Sequence, residues 1–210
     1  MENLSVWIFL LALFLAVYIG MAREGRLAIG GYVAQTVMVV VIYGISAMKS
    51  GDAGIWWAMV GLFVIRVVVI PGVVMRFFTK NQTNYRSSPM VMTPTFALLL
   101  YVLLASIGIG IGMVMGTSGG LFEGLSLAVL LVSIGVVAVN HQAIKQIFGI
   151  LSGDNAVDLL ISLTLSRVAV AADYVVFIDV SIAVYLLSIL TIRHRHHGQQ
   201  NISHMNELKG

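Results

Sequence analysis

Long apolar runs separated by short polar connections dominate the pattern along the chain. Seven runs fall near residues 4–22, 27–48, 54–78, 93–115, 121–140, 145–165 and 168–192. Each has roughly the 20 residues that a helix needs to cross about 30 Å of hydrocarbon, and none shows the alternation of a membrane barrel strand. The pattern therefore predicts an all-α membrane protein with about seven transmembrane helices.

The distribution of basic residues predicts which side of the membrane each connection faces. Nine Lys and Arg residues lie in the connections after the first, third and fifth runs and in the C-terminal tail, whereas the opposite connections hold two, Lys49 and Arg167. Cytoplasmic connections of membrane proteins carry an excess of Lys and Arg. We therefore expect a multi-pass protein of the inner (cytoplasmic) membrane of the cell, with its N-terminus outside and its C-terminus in the cytoplasm.

The composition restricts the chemistry that this chain carries out by itself. Of its 210 residues, 59% are hydrophobic and 10% are charged, against about 25% charged in soluble domains. The absence of cysteine excludes thiolate-held iron–sulfur clusters, cysteine-ligated nickel or zinc, and thiol nucleophiles. The longest connection, residues 79–92, is too short for a catalytic domain. We predict a chain in the lipid bilayer without a catalytic centre, a cofactor, a metal site or a nucleic-acid partner.

Four aspartates lie at or near membrane depth, Asp154 and Asp158 in the sixth run and Asp173 and Asp179 in the seventh. Each costs roughly 2.5–3.5 kcal/mol at a helix centre, so such residues are usually functional. Asp154, Asp158, Ser162 and Ser166 recur every four residues and share one helix face. This stripe is predicted to line a hydrated ion path, the alternative being a hydrogen-bonded seam between helices.

The residues around these aspartates refine the prediction. Asp173 and Asp179 are six residues apart, about 9 Å in rise and roughly 120° in direction, so they face different neighbours. Gly153 and Asn155 flank Asp154 and predict a weak point in the helix that permits a π-type distortion.

Arg66 lies in the middle of the third run, with Pro71 five residues later. An arginine at this depth needs a counter-ion. We expect an ion pair with one of the four aspartates, either as a fixed salt bridge or as a charge switch. Lys145, at the cytoplasmic end of the sixth run, is either a snorkelling anchor or a proton-relay lysine.

Gly108, Gly112 and Gly116 form a stripe of small residues at four-residue spacing. Such a stripe lets another membrane helix approach closely. We expect it to serve assembly.

Two motifs in residues 145–193 resemble a known family. KQIFGILSGDN matches a stretch that runs from a basic residue through glycine to a membrane-embedded Glu–Asn pair, and Asp154 and Asn155 stand where that pair would be. ADYVVFIDVSIAV matches a helix with two acids six residues apart, here Asp173 and Asp179. The chain resembles the membrane subunit called component E of hydrogenase-4 and formate hydrogenlyase-type complexes. The C-terminal part of that subunit resembles the NuoK subunit of respiratory complex I and the MrpC antiporter subunit.

The resemblance implies a role and a set of partners. It divides the chain into a four-helix membrane region, residues 1–120, a NuoK-like three-helix unit, residues 121–193, and a cytoplasmic tail, residues 194–210. It implies antiporter-like and NuoH-like membrane partners and soluble nickel–iron or iron–sulfur subunits that perform the redox reaction. The predicted ion path then comprises Asp154, Asp158, Asp173, Asp179, Arg66, Asn155 and Lys145.

Two other functions compete with an ion path in such a complex. The chain could be an assembly scaffold in which the glycine stripe joins larger subunits. Alternatively, it could be a free-standing small cation transporter that uses the aspartates as ligands.

Overall fold

The computed structural model describes residues 2–51, 53–80, 92–115, 120–140 and 143–164. Every regular element in these ranges is helical: α1 Glu2–Met21, α2 Gly25–Ser50, α3 Ala53–Leu62, a π-helical segment Phe63–Val69, α4 Ile70–Lys80, α5 Pro94–Val114, α6 Gly120–Val139 and α7 Ala143–Thr164. The all-α class is confirmed for these residues. The first six predicted helices agree with these bounds to within a few residues, and the seventh run, 168–192, lies outside the described residues.

Within the described residues, four helical stretches are long and apolar enough to cross a membrane: Gly25–Ser50, Ala53–Arg76, Pro94–Val114 and Gly120–Val139. α1 has a shorter apolar stretch, Ser5–Met21, and α7 is long but includes Lys145, Asp154 and Asp158. Backbone polar groups in lipid need partners within the protein, and a helix supplies them internally. The helices therefore suit a membrane protein.

The π-helical segment joins α3 to α4 without a break and has Arg66 at its centre. Pro71 donates no backbone hydrogen bond, and in a regular α-helix its ring would clash with the carbonyl four residues earlier, at Val67. In the wider π turn the amide of Ile70 donates to the carbonyl of Ile65, which relieves this crowding. The proline and the π turn therefore occur together beside the arginine.

The π-type distortion expected around Asp154 is not found, because α7 is a continuous α-helix through Gly153 and Asn155. Glycine and asparagine lower helix propensity but keep their backbone N–H groups. Proline removes the donor altogether, so the distortion forms near Pro71 instead.

α1 lies in the middle of the bundle, in contact with α2, α5, α6 and α7. α7 packs against α6, α2 and α1, and the π-helical segment packs against α2. At the start of α2, a Cβ added to Gly25 would lie 2.7 Å from Cδ1 of Ile144. The starts of α2 and α7 therefore share one end of the bundle.

The predicted domain boundary at residue 120 falls between α5 and α6. α6 and α7 pack against α1 and α2, so helices from both sides of that boundary share a core. The division of the chain into residues 1–120 and 121–193 stays a prediction.

α3, the π-helical segment and α4 form one continuous helix, Ala53–Lys80, called here the third helical element. This element and α5 lie at the periphery. Of the most apolar stretch of each helix, 29% is buried in Ala53–Arg76 and 22% in α5, against 56% in α6. Many large apolar side chains of these two elements are exposed, among them Trp57, Phe96 and Leu99. A broad apolar outer surface suits contact with lipid or with other membrane helices.

The glycine stripe of α5 packs within the chain. A Cβ added at Gly108 would clash with the backbone of Ala128, and one added at Gly112 would clash with the backbone of Gly124. Both residues contacted belong to α6, so small residues let two helix backbones approach closely. The sequence assigned this stripe to assembly with other subunits. Gly108 and Gly112 instead join α5 to α6 of the same chain.

We predict that Gly112→Ala lowers the melting temperature of the purified protein by several degrees, because overpacking costs roughly 1–3 kcal/mol. Gly110→Ala is the matched control, since a Cβ at Gly110 meets nothing within 4 Å and alanine favours the helix by about 1 kcal/mol. Thermal unfolding in detergent, followed by size-exclusion chromatography, measures both. Equal melting temperatures for the two variants would contradict the close α5–α6 contact.

Candidate functional site

Arg66 is the largest fully buried side chain in the described part of the chain, at 1% exposure. It extends from the π-helical segment to α7, where it meets two carboxylates. Its Nη2 lies 2.5 Å from Oδ2 of Asp154, and its Nη1 lies 2.5 Å from Oδ2 of Asp158. One guanidinium therefore bridges two acids, whereas the sequence analysis expected a pair with one.

The four-residue spacing of Asp154 and Asp158 places both carboxylates toward the same arginine, one helical turn apart. Their side chains differ in exposure, at 9% for Asp154 and 2% for Asp158. Ser162, the next residue of the predicted stripe, donates its hydroxyl to the carbonyl of Leu159 at 2.7 Å. Ser166 lies outside the described residues.

Asn155 connects the ion cluster to α2. Its Oδ1 accepts a hydrogen bond from Nη1 of Arg66 at 2.7 Å. Its Nδ2 donates to Oε1 of Gln35 and to Oγ1 of Thr36, both at 3.1 Å. Asn155, Gln35 and Thr36 are fully buried, at 0% exposure. The amide therefore uses both of its ends, which is how a buried polar group avoids a desolvation penalty.

The network continues from α2 into the backbone of the neighbouring helices. Nε2 of Gln35 donates to the carbonyl of Ala12 in α1 at 3.0 Å. Oγ1 of Thr36 donates to the carbonyl of Tyr32 at 3.0 Å. The cluster consequently ties together α1, α2, the π-helical segment and α7.

Sequence reasoning missed Gln35 and Thr36. The available signal was an adjacent pair of uncharged polar residues inside the apolar run 27–48. Polar side chains at membrane depth usually face the interior of a helical bundle and find partners there. The pattern gave no indication of which helix would supply those partners.

The charges of the cluster define what it can do chemically. Two carboxylates and one guanidinium carry a net charge of −1 when both acids are ionised, and the set is neutral when one acid holds a proton. A buried ion pair is stable only when hydrogen bonds and opposite charges offset the desolvation of each ion. Uptake of one proton by either acid therefore neutralises this set of three groups.

A groove of about 500 Å³ runs between α6 and α7. Its walls are residues of the stretch from Leu130 to Ala138 on α6 and of the stretch from Gly149 to Val157 on α7. Asp154 is the single ionisable residue among those that line it. Oγ of Ser133, one of these lining residues, lies 2.9 Å from Oγ of Ser152, and this hydrogen bond joins the two helices. One of the two acids that bind Arg66 therefore also lines the groove.

Lys145, a further predicted site residue, stands apart from this cluster. Lys145 is 3% exposed and lies nine residues before Asp154, about 14 Å along α7, near the shared starts of α2 and α7. Asp173 and Asp179 lie outside the described residues. The structure therefore brings together Arg66, Asp154, Asn155 and Asp158 out of the predicted ion path.

Within the described ranges there is no group of three or more His, Cys, Asp or Glu residues that could hold a metal ion. Among known proteins, no family model, no curated protein and no solved structure matches the chain. The candidate site is consequently interpreted from its own geometry and charge.

We predict that Arg66→Met destabilises the protein by about 3–5 kcal/mol, because it leaves two buried carboxylates without their counter-ion. Arg76→Met is the control, since Arg76 is an exposed arginine of the same helical element and its loss should leave the melting temperature unchanged. Thermal unfolding in detergent measures the difference.

A triple variant separates the effect of charge from the effect of lost packing. Arg66→Met combined with Asp154→Asn and Asp158→Asn removes the uncompensated charges, so we expect it to recover part of the lost stability. A triple variant less stable than Arg66→Met alone would show that the guanidinium acts through packing and not as a counter-ion.

Proposed function

We propose that the chain is a non-catalytic membrane subunit of a complex I-related oxidoreductase of the group 4 nickel–iron hydrogenase or formate hydrogenlyase type. It contributes intramembrane carboxylates to proton or sodium translocation. The proposal is supported by the motifs in residues 145–193 and by the buried cluster of Arg66, Asp154 and Asp158.

The single observation that carries the proposal is that, among the described residues, two carboxylates share one guanidinium in an apolar bundle. A purely structural salt bridge needs one acid for one base, and each further buried carboxylate adds a desolvation cost. A carboxylate that shares its counter-ion with a second acid and also lines a groove can exchange a proton or a cation with a neighbouring group. Asp154 has this position, while Asp158 and Asn155 hold Arg66 in place from the other side.

In the proposed ion path, each carboxylate gains or loses a proton as the charge of a neighbouring group changes. Arrival of a positive charge near Asp154 favours its ionised form, and withdrawal of that charge favours uptake of a proton. Asp173, Asp179 and Lys145 extend the proposed path beyond the cluster. Redox chemistry takes place on partner subunits, in keeping with a chain that has no cysteine.

The membrane arrangement forms part of the proposal. Seven spans, with the N-terminus outside and the C-terminus in the cytoplasm, place Arg23, Arg26 and Lys145 on the cytoplasmic side. The contact between Gly25 and Ile144 supports this arrangement, because it brings these two basic connections to one end of the bundle. Antiporter-like and NuoH-like subunits then flank the chain in the inner membrane.

Of the competing hypotheses, the one that the chain is an assembly scaffold loses its main support. Gly108 and Gly112, which suggested a docking face for larger subunits, are occupied by α6. A free-standing cation transporter uses the same buried acids and is separated from the leading proposal by experiment.

We predict that Asp154→Asn lowers ion translocation at least tenfold while the complex still assembles, because asparagine keeps the shape of the side chain but cannot ionise. Inverted membrane vesicles supplied with formate or hydrogen report proton movement with a pH-sensitive dye and sodium movement with ²²Na⁺. Glu123→Gln, in the first turn of α6, is the control and should behave as the wild type.

Unchanged translocation in both Asp154→Asn and Asp179→Asn would reject the ion path. Cation uptake by the purified chain reconstituted alone would favour the free-standing transporter. Adjacent reading frames for antiporter-like and nickel–iron subunits would support the complex.

A further inference from the structure

The hydrogen bonds around Asn155 all run in one direction, from the charged cluster toward main-chain carbonyls. A guanidinium only donates hydrogen bonds and a carbonyl oxygen only accepts them. Nη1 of Arg66 donates to Oδ1 of Asn155, and Nδ2 of Asn155 donates to Oε1 of Gln35. Nε2 of Gln35 then donates to the carbonyl of Ala12 in α1. The polarity of this chain of hydrogen bonds is therefore fixed at both of its ends.

A second branch of the network has the same direction. The hydroxyl of Thr36 has one hydrogen, which it donates to the carbonyl of Tyr32 at 3.0 Å. Its oxygen is consequently an acceptor for Nδ2 of Asn155, at 3.1 Å. Thr36 and Gln35 thus present two acceptors to the same amide nitrogen, and both side chains are fully buried.

These contacts exclude the reversed orientation of the Asn155 amide. Reversal would set Nδ2 against Nη1 of Arg66, donor against donor, and Oδ1 against Oε1 of Gln35, acceptor against acceptor. Reversing Gln35 as well would set its oxygen against the carbonyl of Ala12. Buried polar groups that lose their partners are costly, so a single orientation of the whole network is stable.

We propose that Gln35 and Thr36 are positioning residues of the ion site and that they act through Asn155. They hold the amide oxygen toward Arg66, so that the guanidinium keeps a neutral acceptor whichever of its two acids is protonated. The inference deepens the function proposed above and rests on it, because it assigns the residues that keep the arginine in place while an acid gains or loses a proton.

The charge changes expected at the site make such an acceptor useful. Nη1 of Arg66 contacts both Asp158 and Asn155. Uptake of a proton by Asp158 removes its negative charge and weakens its attraction to the guanidinium. The amide of Asn155 is neutral at every pH, and its orientation is set from α2. Arg66 is therefore held in the same place in both charge states and can meet the carboxylate again when the proton leaves.

Two substitutions of Thr36 test this role, because they separate its hydroxyl from its methyl group. Thr36→Val keeps the shape of the side chain and removes the acceptor, whereas Thr36→Ser keeps the acceptor and removes the methyl group. In inverted vesicles that contain the assembled complex, we expect Thr36→Val to lower ion translocation about fivefold, the factor that corresponds to one net hydrogen bond. Thr36→Ser should recover translocation to near the wild-type rate. The opposite order, which a role in packing alone predicts, or equal rates in the two variants would overturn the proposal.

A combined variant and a control complete the series. Gln35→Met together with Thr36→Val removes both acceptors of the amide nitrogen and should lower translocation further than Thr36→Val alone. Ser126→Ala is the matched control, since its hydroxyl donates to the carbonyl of Phe122 four residues earlier, as that of Thr36 does to Tyr32. Ser126 lies on α6, outside the four elements that the network joins, so this variant should behave as the wild type.

Thermal unfolding of the purified full-length chain separates this inference from the proposed function. Thr36→Val should lower the melting temperature when Asn155 is present, because the buried amide nitrogen loses an acceptor, and should leave it unchanged in an Asn155→Ala background. An equal effect in both backgrounds would overturn the inference without bearing on Asp154. Unchanged translocation in Asp154→Asn, with the dependence between positions 36 and 155 intact, would reject the proposed function and with it the role in ion transfer.

Discussion

The burial of one arginine among apolar helices is the constraint on which the rest of the described structure depends. A guanidinium cannot lose its charge at neutral pH, so it has to be met by counter-ions wherever it is buried. Arg66 meets two carboxylates of α7 and the amide of Asn155. These contacts fix the rotation of α7 about its axis and its height relative to the third helical element.

The same requirement extends to helices that carry no charge in the cluster. Asn155 accepts a hydrogen bond from Arg66, and because it is buried its amide nitrogen also needs acceptors. Gln35 and Thr36 of α2 supply them. Gln35 in turn reaches the backbone of α1. A single charge thus accounts for the polar contacts among four elements of the described structure.

Close packing elsewhere in the bundle holds these elements in place. Lipid supplies no hydrophobic force between membrane helices, so their association depends on close packing and on hydrogen bonds. Gly108 and Gly112 provide the close approach of α5 to α6, and Ser133 and Ser152 join α6 to α7 by a hydrogen bond. The groove beside Asp154 is lined by residues of α6 and α7, so its shape depends on the same two helices.

The sequence by itself determined the helices and the faces of single helices, because both depend on the length of apolar runs and on a repeat of 3.6 residues, which are local properties. It thus placed Asp154 and Asp158 on one face and required a counter-ion for Arg66. Only the tertiary structure decided that both acids bind the arginine, that Gln35 and Thr36 belong to the network, and that the glycine stripe belongs to the contact between α5 and α6. These outcomes depend on the relative rotation and height of helices that lie far apart in the chain, which no local pattern encodes.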